Sequence, residues 1–534
     1  MFTSRSCGRV GALRLAAAAC LSLSSSAWAA WGITDASGVL TVDTGAGLVF
    51  KVNKSSGDIT SIKLNGGAEL QGQTKFSHIS SGLGAPATYA FSPSGTTAVI
   101  TITASTLKHY LVVRRNENTI YMATHITAEP AVGELRWITR LNGSVFTGVP
   151  TESNLRGTTG AIESSDVFGN SDGTTRSKYY GNQRAKDMTV RGVTGSGVGV
   201  FMVYGNRESA SGGPFFRDIQ NQSGTDTELY NYMNSGHNQT EAFRMGLHGP
   251  YALVFTTGGT PSAPDMSWMS GLNLQGWVSG RGKVVLNGLS GMDTAYAYTV
   301  GFANSTAQYW GTTSGSGAVT VANMKPGTYV MTVYKGELGV YTEQVSVSSG
   351  GTTTLNTRAI TADPAAQPVL WRVGQWDGTP LEFLNGQTIN VRHPQDTRNP
   401  SWGPVTYAVG SATNKFPGAI WKDKNSGTQI TFNLTSAQLA ARTVRIGISA
   451  AYANARPQIS VNGWTSAVPT ASSQPSSRSL TIGTYRGNNA TFTYSVPASA
   501  FVAGTNTVTI HAASGSGSTG FLSAGFAVDC VDMY

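Results

Sequence analysis

Short runs in which apolar and polar side chains alternate, separated by glycine- and serine-rich turns, recur along almost the whole chain. Thr97–Thr103 (TAVITIT) is typical, because its side chains alternate between two faces as they do on a half-buried strand. Apolar residues at helical spacing are rare, and residues 435–442 form one of the few helical candidates. The pattern predicts an all-β protein.

Two proline-containing interruptions divide this pattern. TPSAPD at 260–265 and TADPAAQP at 361–368 combine proline with small residues, which is typical of linkers. The chain is also long enough for roughly two or three β cores. We therefore predict a first domain over residues 30–270, a second over 271–360 and a third over 361–534.

The second predicted domain has the size of one small β-sandwich, and nothing in it suggests catalysis. Its Pro326-Gly327 pair is predicted to close a hairpin that leads into the strand beginning at Tyr329. The third domain is rich in aromatic residues, which form either a sugar-binding platform or a buried core. The core is the commoner fate of tryptophan.

The N-terminal segment has the organisation of a secretory signal peptide. Three arginines precede the apolar run Leu15–Leu23, and Ala27-Trp28-Ala29 supplies small residues at the positions that a signal peptidase requires. We therefore predict that residues 1–29 are removed and that a secreted protein, extracellular or periplasmic, begins at Ala30. No later segment has the roughly 18 apolar residues needed to span a bilayer, so no membrane partner is expected.

The positions of the cysteines and the net charge restrict the disulfide bonds and the partners that the protein can have. Cys7 and Cys20 lie in the predicted signal peptide, so Cys530 is left without an intramolecular disulfide partner. The net charge of +9 includes three arginines of that peptide, which has no acidic residue, so the mature chain carries +6. Without any run of basic residues, this argues against nucleic acid and is compatible with a polyanionic carbohydrate. A basic surface without specific meaning is equally compatible.

Residues 230–251 (YNYMNSGHNQTEAFRMGLHGPY) depart from the strand pattern by crowding polar and aromatic side chains together. Tyr230 and Tyr232 can stack on sugar rings, and the neighbouring polar groups can pair with hydroxyls. His237 is a candidate general acid or base because histidine titrates in the useful range. His248 is as readily explained as a structural residue.

Residues 133–142 (GELRWITRLN) place two arginines on one face of a predicted strand. Arg136 and Arg140 alternate with Trp137 and Thr139, which point the opposite way. Both guanidinium groups can meet the carboxylates of acidic sugars. The simpler alternative is a pair of solvated arginines on an outer sheet face.

Lys178 lies in TRSKYY, residues 175–180, between Arg176 and two tyrosines. A neighbouring cation and partial burial lower the pKa of a lysine, as a general base requires, so we expect a lowered pKa for Lys178. Taken alone, a lysine in such a string is far more often an ordinary surface lysine.

Five strings in the first domain occur in an order and spacing that closely resemble the family 4 rhamnogalacturonan lyases, which degrade the backbone of rhamnogalacturonan I. These strings are GELRWITRLN, TRSKYY, SGGPFFRDI, YMNSGHNQTE and MGLHGPY. The resemblance extends over the whole mature chain. It implies a large N-terminal β-super-sandwich, a fibronectin-III-like β-sandwich and a C-terminal jelly roll similar to carbohydrate-binding modules.

The resemblance also implies chemistry and site residues. It gives Lys178 and His237 as the catalytic pair of a β-elimination. The implied substrate-binding residues are Arg136, Arg140, Tyr230 and Tyr232. Lys178 is assigned as the base and His237 as the acid, although the sequence leaves the opposite assignment open. No cofactor is implied for catalysis, a structural calcium is compatible with the sequence, and a monomer is expected.

Two other classes of function remain open from the residues alone. A glycoside hydrolase needs a pair of carboxylates, for which Glu241 with Asp166 or Asp218 is the candidate. A non-catalytic pectin-binding protein is the other class, because the third domain has the composition of a sugar-binding module.

Overall fold

The structure is a computed structural model that describes residues 30–237, 241–471, 478–484, 489–513 and 518–534. The predicted signal peptide, residues 1–29, lies outside the described residues. Strands account for almost all of the regular structure, so the all-β prediction is confirmed. Within the described ranges, no helix is long and apolar enough to cross a membrane.

The first eighteen strands build the first domain. They are β1 (Gly32–Ala36), β2 (Val39–Asp43), β3 (Leu48–Asn53), β4 (Ile59–Leu64), β5 (His78–Ile79), β6 (Ala87–Phe91), β7 (Thr97–Thr103), β8 (Leu107–Arg114), β9 (Thr119–Ile126), β10 (Leu135–Leu141), β11 (Gly160–Glu163), β12 (Val167–Gly169), β13 (Thr175–Ser177), β14 (Val190–Gly195), β15 (Val198–Val203), β16 (Asn221–Ser223), β17 (Thr227–Asn234) and β18 (Gly246–Thr256). Two 3-10 helices, Thr151–Ser153 and Ser267–Leu272, accompany them.

These strands form four sheets, three of which contribute to the main core. The sheet orders are β1-β2-β3-β4, β16-β17-β10-β5, β11-β12-β13 and β14-β15-β18-β9-β8-β7-β6. Phe50, Met122 and Trp137 come from three of the sheets and are buried in the same hydrophobic cluster. The small sheet β11-β12-β13 and the outer face of β10 and β17 share a separate cluster, which is where the candidate site lies.

Nine further strands build the second domain. They are β19 (Gly282–Leu286), β20 (Leu289–Ser290), β21 (Tyr298–Ala303), β22 (Gln308–Thr312), β23 (Val319–Met324), β24 (Gly327–Lys335), β25 (Leu338–Val347), β26 (Thr352–Leu355) and β27 (Arg358–Ala359). The sheet β23-β19-β26 and the sheet β22-β21-β24-β25 enclose one core, and β20 pairs with β27.

The hairpin predicted at Pro326-Gly327 is wrong. The strand before this turn, β23, pairs with β19 in one sheet, whereas β24 after it pairs with β21 and β25 in the other. The turn therefore carries the chain across the sandwich, and the hairpin lies instead at Gly336, between β24 and β25. Turn residues indicate a change of direction but not which sheet the next strand joins.

The last ten strands build the third domain. They are β28 (Trp371–Gly374), β29 (Thr406–Ala408), β30 (Ala419–Trp421), β31 (Thr428–Leu434), β32 (Arg442–Tyr452), β33 (Arg456–Val461), β34 (Trp464–Thr465), β35 (Ala490–Val496), β36 (Gly504–Ala513) and β37 (Gly525–Met533). The helices of this region are the 3-10 turns Pro364–Ala366, Gly386–Thr388, Thr413–Lys415, Ser436–Gln438, Ala498–Ala500 and Gly520–Leu522, and the short α-helix α1 (Ser479–Ile482).

Two five-stranded sheets enclose the third core. The helix predicted at residues 435–442 is wrong, because Thr435 and Gln438 form a capping box around one 3-10 turn and strand β32 begins at Arg442. Trp371, Trp376 and Trp402 are buried, so these aromatic residues serve the core.

The second domain shares its hydrophobic core with residues of the third domain and is joined to the first domain by buried ion pairs. Trp376 and Cys530, from the third domain, lie in the core of the second. On the other side, the buried carboxylate of Glu208 receives two hydrogen bonds from Arg281, at 2.6 and 2.9 Å, and lies 3.3 Å from Lys325. Burial alone would raise the pKa of Glu208, but Arg281 and Lys325 hold this pKa below its ordinary value.

Glu208→Gln is expected to lower the free energy of unfolding by about 3 kcal/mol at neutral pH, because it leaves two cations beside a buried amide. The depressed pKa means that this stability is present at neutral pH and is lost as the pH falls through that pKa, so the difference should shrink in acid. Thermal unfolding followed by circular dichroism measures it. Glu343→Gln, which removes the more exposed pair with Arg358, is the control and should cost under about 1 kcal/mol. Equal losses of unfolding free energy in the two variants would show that the ion pairs of Glu208 do not stabilise the contact between the first and second domains.

Candidate active site

Strand β10 presents two chemically different faces, as the alternation predicts. The side chains that enter the main core are Leu135, Trp137 and Leu141. On the opposite face, Arg136 pairs in register with Tyr232, Ile138 with Tyr230, and Arg140 with Glu228. Directly opposed residues of antiparallel strands lie on the same face. The two arginines and the two tyrosines named from the sequence therefore share one surface.

Arg136 is the most accessible of these four side chains, and Tyr232 is its partner. Arg136 donates from Nη1 to the Tyr232 hydroxyl, donates from Nη2 to Ser81 at 3.1 Å, and is paired with Glu134 at 2.8 Å. Its side chain retains 19% of its exposure, whereas Tyr232 is buried against Tyr230 in a stacked pair with ring centroids 5.8 Å apart. Arg136 is thus fixed in place and still open to an anion.

Arg140 lies deeper and is engaged by the protein itself. It is buried, and Nη1 donates to Glu228, whose other oxygen accepts from the Tyr230 hydroxyl. Arg140 is therefore less accessible than Arg136, and Tyr230 and Tyr232 are both buried beside the two arginines. Glu228 was missed in the sequence because a single glutamate in a strand carries no signal.

His78 is a further basic residue at this face that the sequence did not reveal. It lies on β5 opposite Ile138. Burial, followed by the charges of Arg140, Arg136 and Lys75, lowers the pKa of His78 to about 4. The imidazole is therefore neutral near pH 7, mainly because it is buried and in part because the neighbouring cations oppose its charge.

His237 follows the end of β17 and is held by a buried carboxylate. Its Nδ1 lies 3.1 Å from both oxygens of Asp218, and its backbone N–H donates to Ser235 Oγ at 3.0 Å. Ser235 in turn donates to Asp218. Burial would lower the pKa of His237, but the charge and hydrogen bond of Asp218 raise it above its ordinary value. The contact through Nδ1 leaves Nε2 as the nitrogen available to a substrate.

Lys178 follows directly after β13 and also has a carboxylate partner. Its Nζ lies 2.8 Å from Asp166 Oδ1, and the side chain keeps 23% of its exposure. The cation expected beside it is directed elsewhere, because Arg176 donates to the carbonyl of Thr151. The charge that Lys178 meets is therefore negative, contrary to the environment expected from TRSKYY.

Tyr179 joins the two candidate catalytic groups. Its ring centroid lies 5.4 Å from Lys178 Nζ on one side and 5.2 Å from the His237 ring on the other. Tyr232 lies 5.4 Å from the same imidazole. Burial, then the charges of Asp218 and Asp166, raise the pKa of Tyr179 far above its ordinary value, so it remains a neutral phenol. Lys178, His237 and Tyr232 thus form one contiguous cluster with Arg136 at its edge.

The remaining candidates lie outside this cluster. His248 is buried, donates from Nε2 to the carbonyl of Arg244 at 2.9 Å, and has a pKa lowered by burial to about 3. Glu241 is paired with Arg244 at 2.6 Å. Asp166 and Asp218, the other carboxylates named for a hydrolase, are each bound to a basic side chain.

Comparisons with known proteins cover almost the whole described chain. Residues 31–276 match the family model described as rhamnogalacturonan lyase B, N-terminal. Residues 279–355 match polysaccharide lyase family 4, domain II, and residues 369–533 match domain III of the same family.

Individual relatives agree with these matches. The chain is 45% identical to the probable rhamnogalacturonate lyase A of Aspergillus fumigatus, over 95% of this chain and 96% of the relative. It is 44% identical to the rhamnogalacturonate lyase A of Aspergillus aculeatus, over 95% and 97% of the two chains. The corresponding protein of Emericella nidulans is 43% identical, over 95% and 96%. With this identity along its full length and a match in each of three domains, the chain belongs to polysaccharide lyase family 4.

Proposed function

We propose that this protein is a rhamnogalacturonan endolyase, which cleaves rhamnose-(1,4)-galacturonate bonds of rhamnogalacturonan I by β-elimination and leaves an unsaturated galacturonate. The observation that carries the proposal is the cluster of a lysine and a histidine, each with its own carboxylate, on a surface edged by Arg136. The names of relatives that are 43–45% identical support the same substrate.

In the proposed reaction Lys178 is the base. The proton on C5 of galacturonate is weakly acidic because it lies next to the carboxylate, and a neutral lysine Nζ removes it. The electron pair of that C–H bond forms the C4=C5 double bond, and the bond from C4 to the glycosidic oxygen breaks. Lys178 is left as an ammonium that returns its proton to solvent.

His237 is the acid that completes the step. Because Asp218 raises its pKa, the imidazole is held in the protonated form that an acid requires. Nε2 donates its proton to the glycosidic oxygen, so rhamnose departs with a new hydroxyl. The contact with Asp218 through Nδ1 also fixes the orientation of the ring.

Arg136 binds the substrate carboxylate and stabilises the charge that develops on it. An enolate-like transition state places negative charge on the carboxylate oxygens, and a fixed cation offsets that charge. Arg140 contributes to the potential of the surface, while Tyr232 positions the sugars with Tyr230 packed against it. Because arginine supplies this charge, we propose that catalysis needs no metal ion, which leaves a structural calcium elsewhere compatible with activity.

The setting proposed for this activity is outside the cell. A rhamnogalacturonan polymer is too large to meet an enzyme that stays in the cytoplasm. We propose that the protein is secreted after removal of residues 1–29 and that it acts as a monomer.

Incubation with debranched rhamnogalacturonan I should raise the ultraviolet absorbance of unsaturated uronate, with and without a chelator, because the neutralising charge is an arginine. Homogalacturonan, which has no rhamnose, is the control and should give no rise. Saturated reducing ends in place of the absorbance would indicate a hydrolase. Retained polymer binding without any product would indicate a binding protein, and loss of the absorbance on chelation would overturn metal independence.

Lys178→Ala and His237→Ala should each lower kcat by about 10²–10⁴-fold, because each removes one proton-transfer group from the step. The rate of absorbance increase measures the loss, and circular dichroism tests that the fold is kept. Lys54→Ala and His511→Ala, which change the same residue types far along the chain from the cluster, should retain normal rates. Near-normal rates in both cluster variants would show that the assignment is wrong.

Asp218→Asn should move the alkaline limb of the activity profile to lower pH. An acid must be protonated, so activity falls as the pH rises through the pKa of His237, and Asp218 raises that pKa. Removing the carboxylate charge leaves burial dominant, which lowers the pKa. The dependence of kcat/KM on pH measures the shift, and an unmoved alkaline limb would mean that His237 is not the acid.

A further inference from the structure

Asp166, the carboxylate that holds Lys178, is shared with an arginine of the third domain. Its Oδ1 lies 2.8 Å from Lys178 Nζ, and its Oδ2 accepts from Arg478 Nη1 at 3.0 Å. Burial would raise the pKa of Asp166, but Lys178 and Arg478 together hold it below its ordinary value. The carboxylate is therefore ionised and divided between two cations that come from different domains.

Arg478 is itself held in a fixed place. Its Nε donates to Glu163, which is buried. The second oxygen of Glu163 lies 3.1 Å from Nε2 of His393, and the first accepts from Thr481 Oγ1 at 3.0 Å. His393 and Thr481 also belong to the third domain, so the guanidinium spans two first-domain carboxylates from a framework that the third domain supplies.

The strand that carries Lys178 is attached to the third domain as well. Asp396 accepts from the backbone N–H of Thr175 at 2.7 Å and from its hydroxyl at 2.8 Å. Tyr180 donates to the carbonyl of Thr481 at 2.5 Å, and Ile482 packs in the same hydrophobic cluster as Tyr179 and Tyr180. Lys178 is thus bracketed on both sides by residues that contact the third domain.

From these contacts we propose that Arg478 is a positioning residue for Lys178, acting through Asp166: it fixes the carboxylate that orients Nζ and weakens that carboxylate's hold on the lysine proton. The inference rests on the proposed function, because it assigns Arg478 a role in the same elimination. It makes the third domain a structural part of the catalytic site.

The electrostatic reason is the balance of charges that face Lys178. Asp166 favours the ammonium, whereas Arg478 and the protonated His237 oppose it, and Asp218 is engaged with His237. The Tyr179 ring is neutral and lies against Nζ. A base must lose its proton, and the negative charge of Asp166 opposes that loss whereas the positive charge of Arg478 favours it. Arg478 supplies a positive charge that offsets the negative charge of Asp166.

Arg478→Gln is therefore expected to lower kcat at neutral pH by about tenfold and to move the acid limb of the kcat/KM profile up by about one pH unit, with KM little changed. Asp166→Asn should move the same limb in the opposite direction, because it removes the charge that retains the proton. Debranched rhamnogalacturonan I is the substrate and unsaturated uronate absorbance the readout. Opposite shifts in the two variants are not expected from a merely structural role.

Two further variants separate positioning from loss of folding. Arg281→Gln removes an arginine that also bridges two domains but belongs to the ion pairs of Glu208, so it should lower the unfolding temperature and leave the acid limb in place. Arg478→Lys keeps the charge but cannot span both carboxylates, so the limb should return toward its normal position while kcat recovers only in part.

The outcomes distinguish this inference from the proposed function. If Arg478→Gln and Asp166→Asn both keep the wild-type dependence of kcat/KM on pH while unsaturated products still form, the positioning role is overturned. The proposed lyase activity then still stands. Limb shifts of the same size in Arg281→Gln also overturn it, because general loosening of the domains would then explain the effect. Absence of unsaturated products from the wild-type protein overturns the proposed function itself.

Discussion

The pairing of each candidate catalytic group with a carboxylate, which is buried for Asp218 and half-buried for Asp166, is the interaction on which this site depends. Elimination requires two basic side chains in opposite protonation states within reach of one sugar, and two cations in the same place would repel each other. Asp218 raises the pKa of His237 and so favours its charged form, and Asp166 is paired with Lys178. The neutral Tyr179 ring contacts both Lys178 and His237 without adding charge.

Two general properties of β-sheets produce this arrangement. Alternation along β10 and β17 sends apolar side chains to the core and leaves a polar face of arginines and tyrosines. Small sheets cannot bury both faces by themselves, so the short sheet that precedes Lys178 depends on a neighbouring domain. The third domain covers it with Ile482, and the Asp396 carboxylate and the Thr481 carbonyl accept hydrogen bonds from Thr175 and Tyr180.

Features that follow from backbone period or from a local string were predictable, whereas contacts between distant segments were not. The two faces of residues 135–141 follow from the two-residue period of a strand. The engagement of Arg140 by Glu228 depends on a strand register set 88 residues away. Arg478 lies beside a serine-rich run that gives no hint of a buried ion pair. The helix at 435–442 failed because β32 begins at Arg442 and pairs with β35, a tertiary contact that overrides the helix propensity of residues 439–442.

The single cysteine of the described chain bears on how such a protein can be made. Cys530 lies fully buried where the second and third domains meet, and burial raises the pKa of its thiol well above the ordinary value. A protonated, inaccessible thiol neither exchanges with disulfides nor oxidises readily. Folding of the protein therefore requires no oxidising compartment or disulfide isomerase. Residues 30–534 should fold equally well in a reducing cytosol and in an oxidising medium.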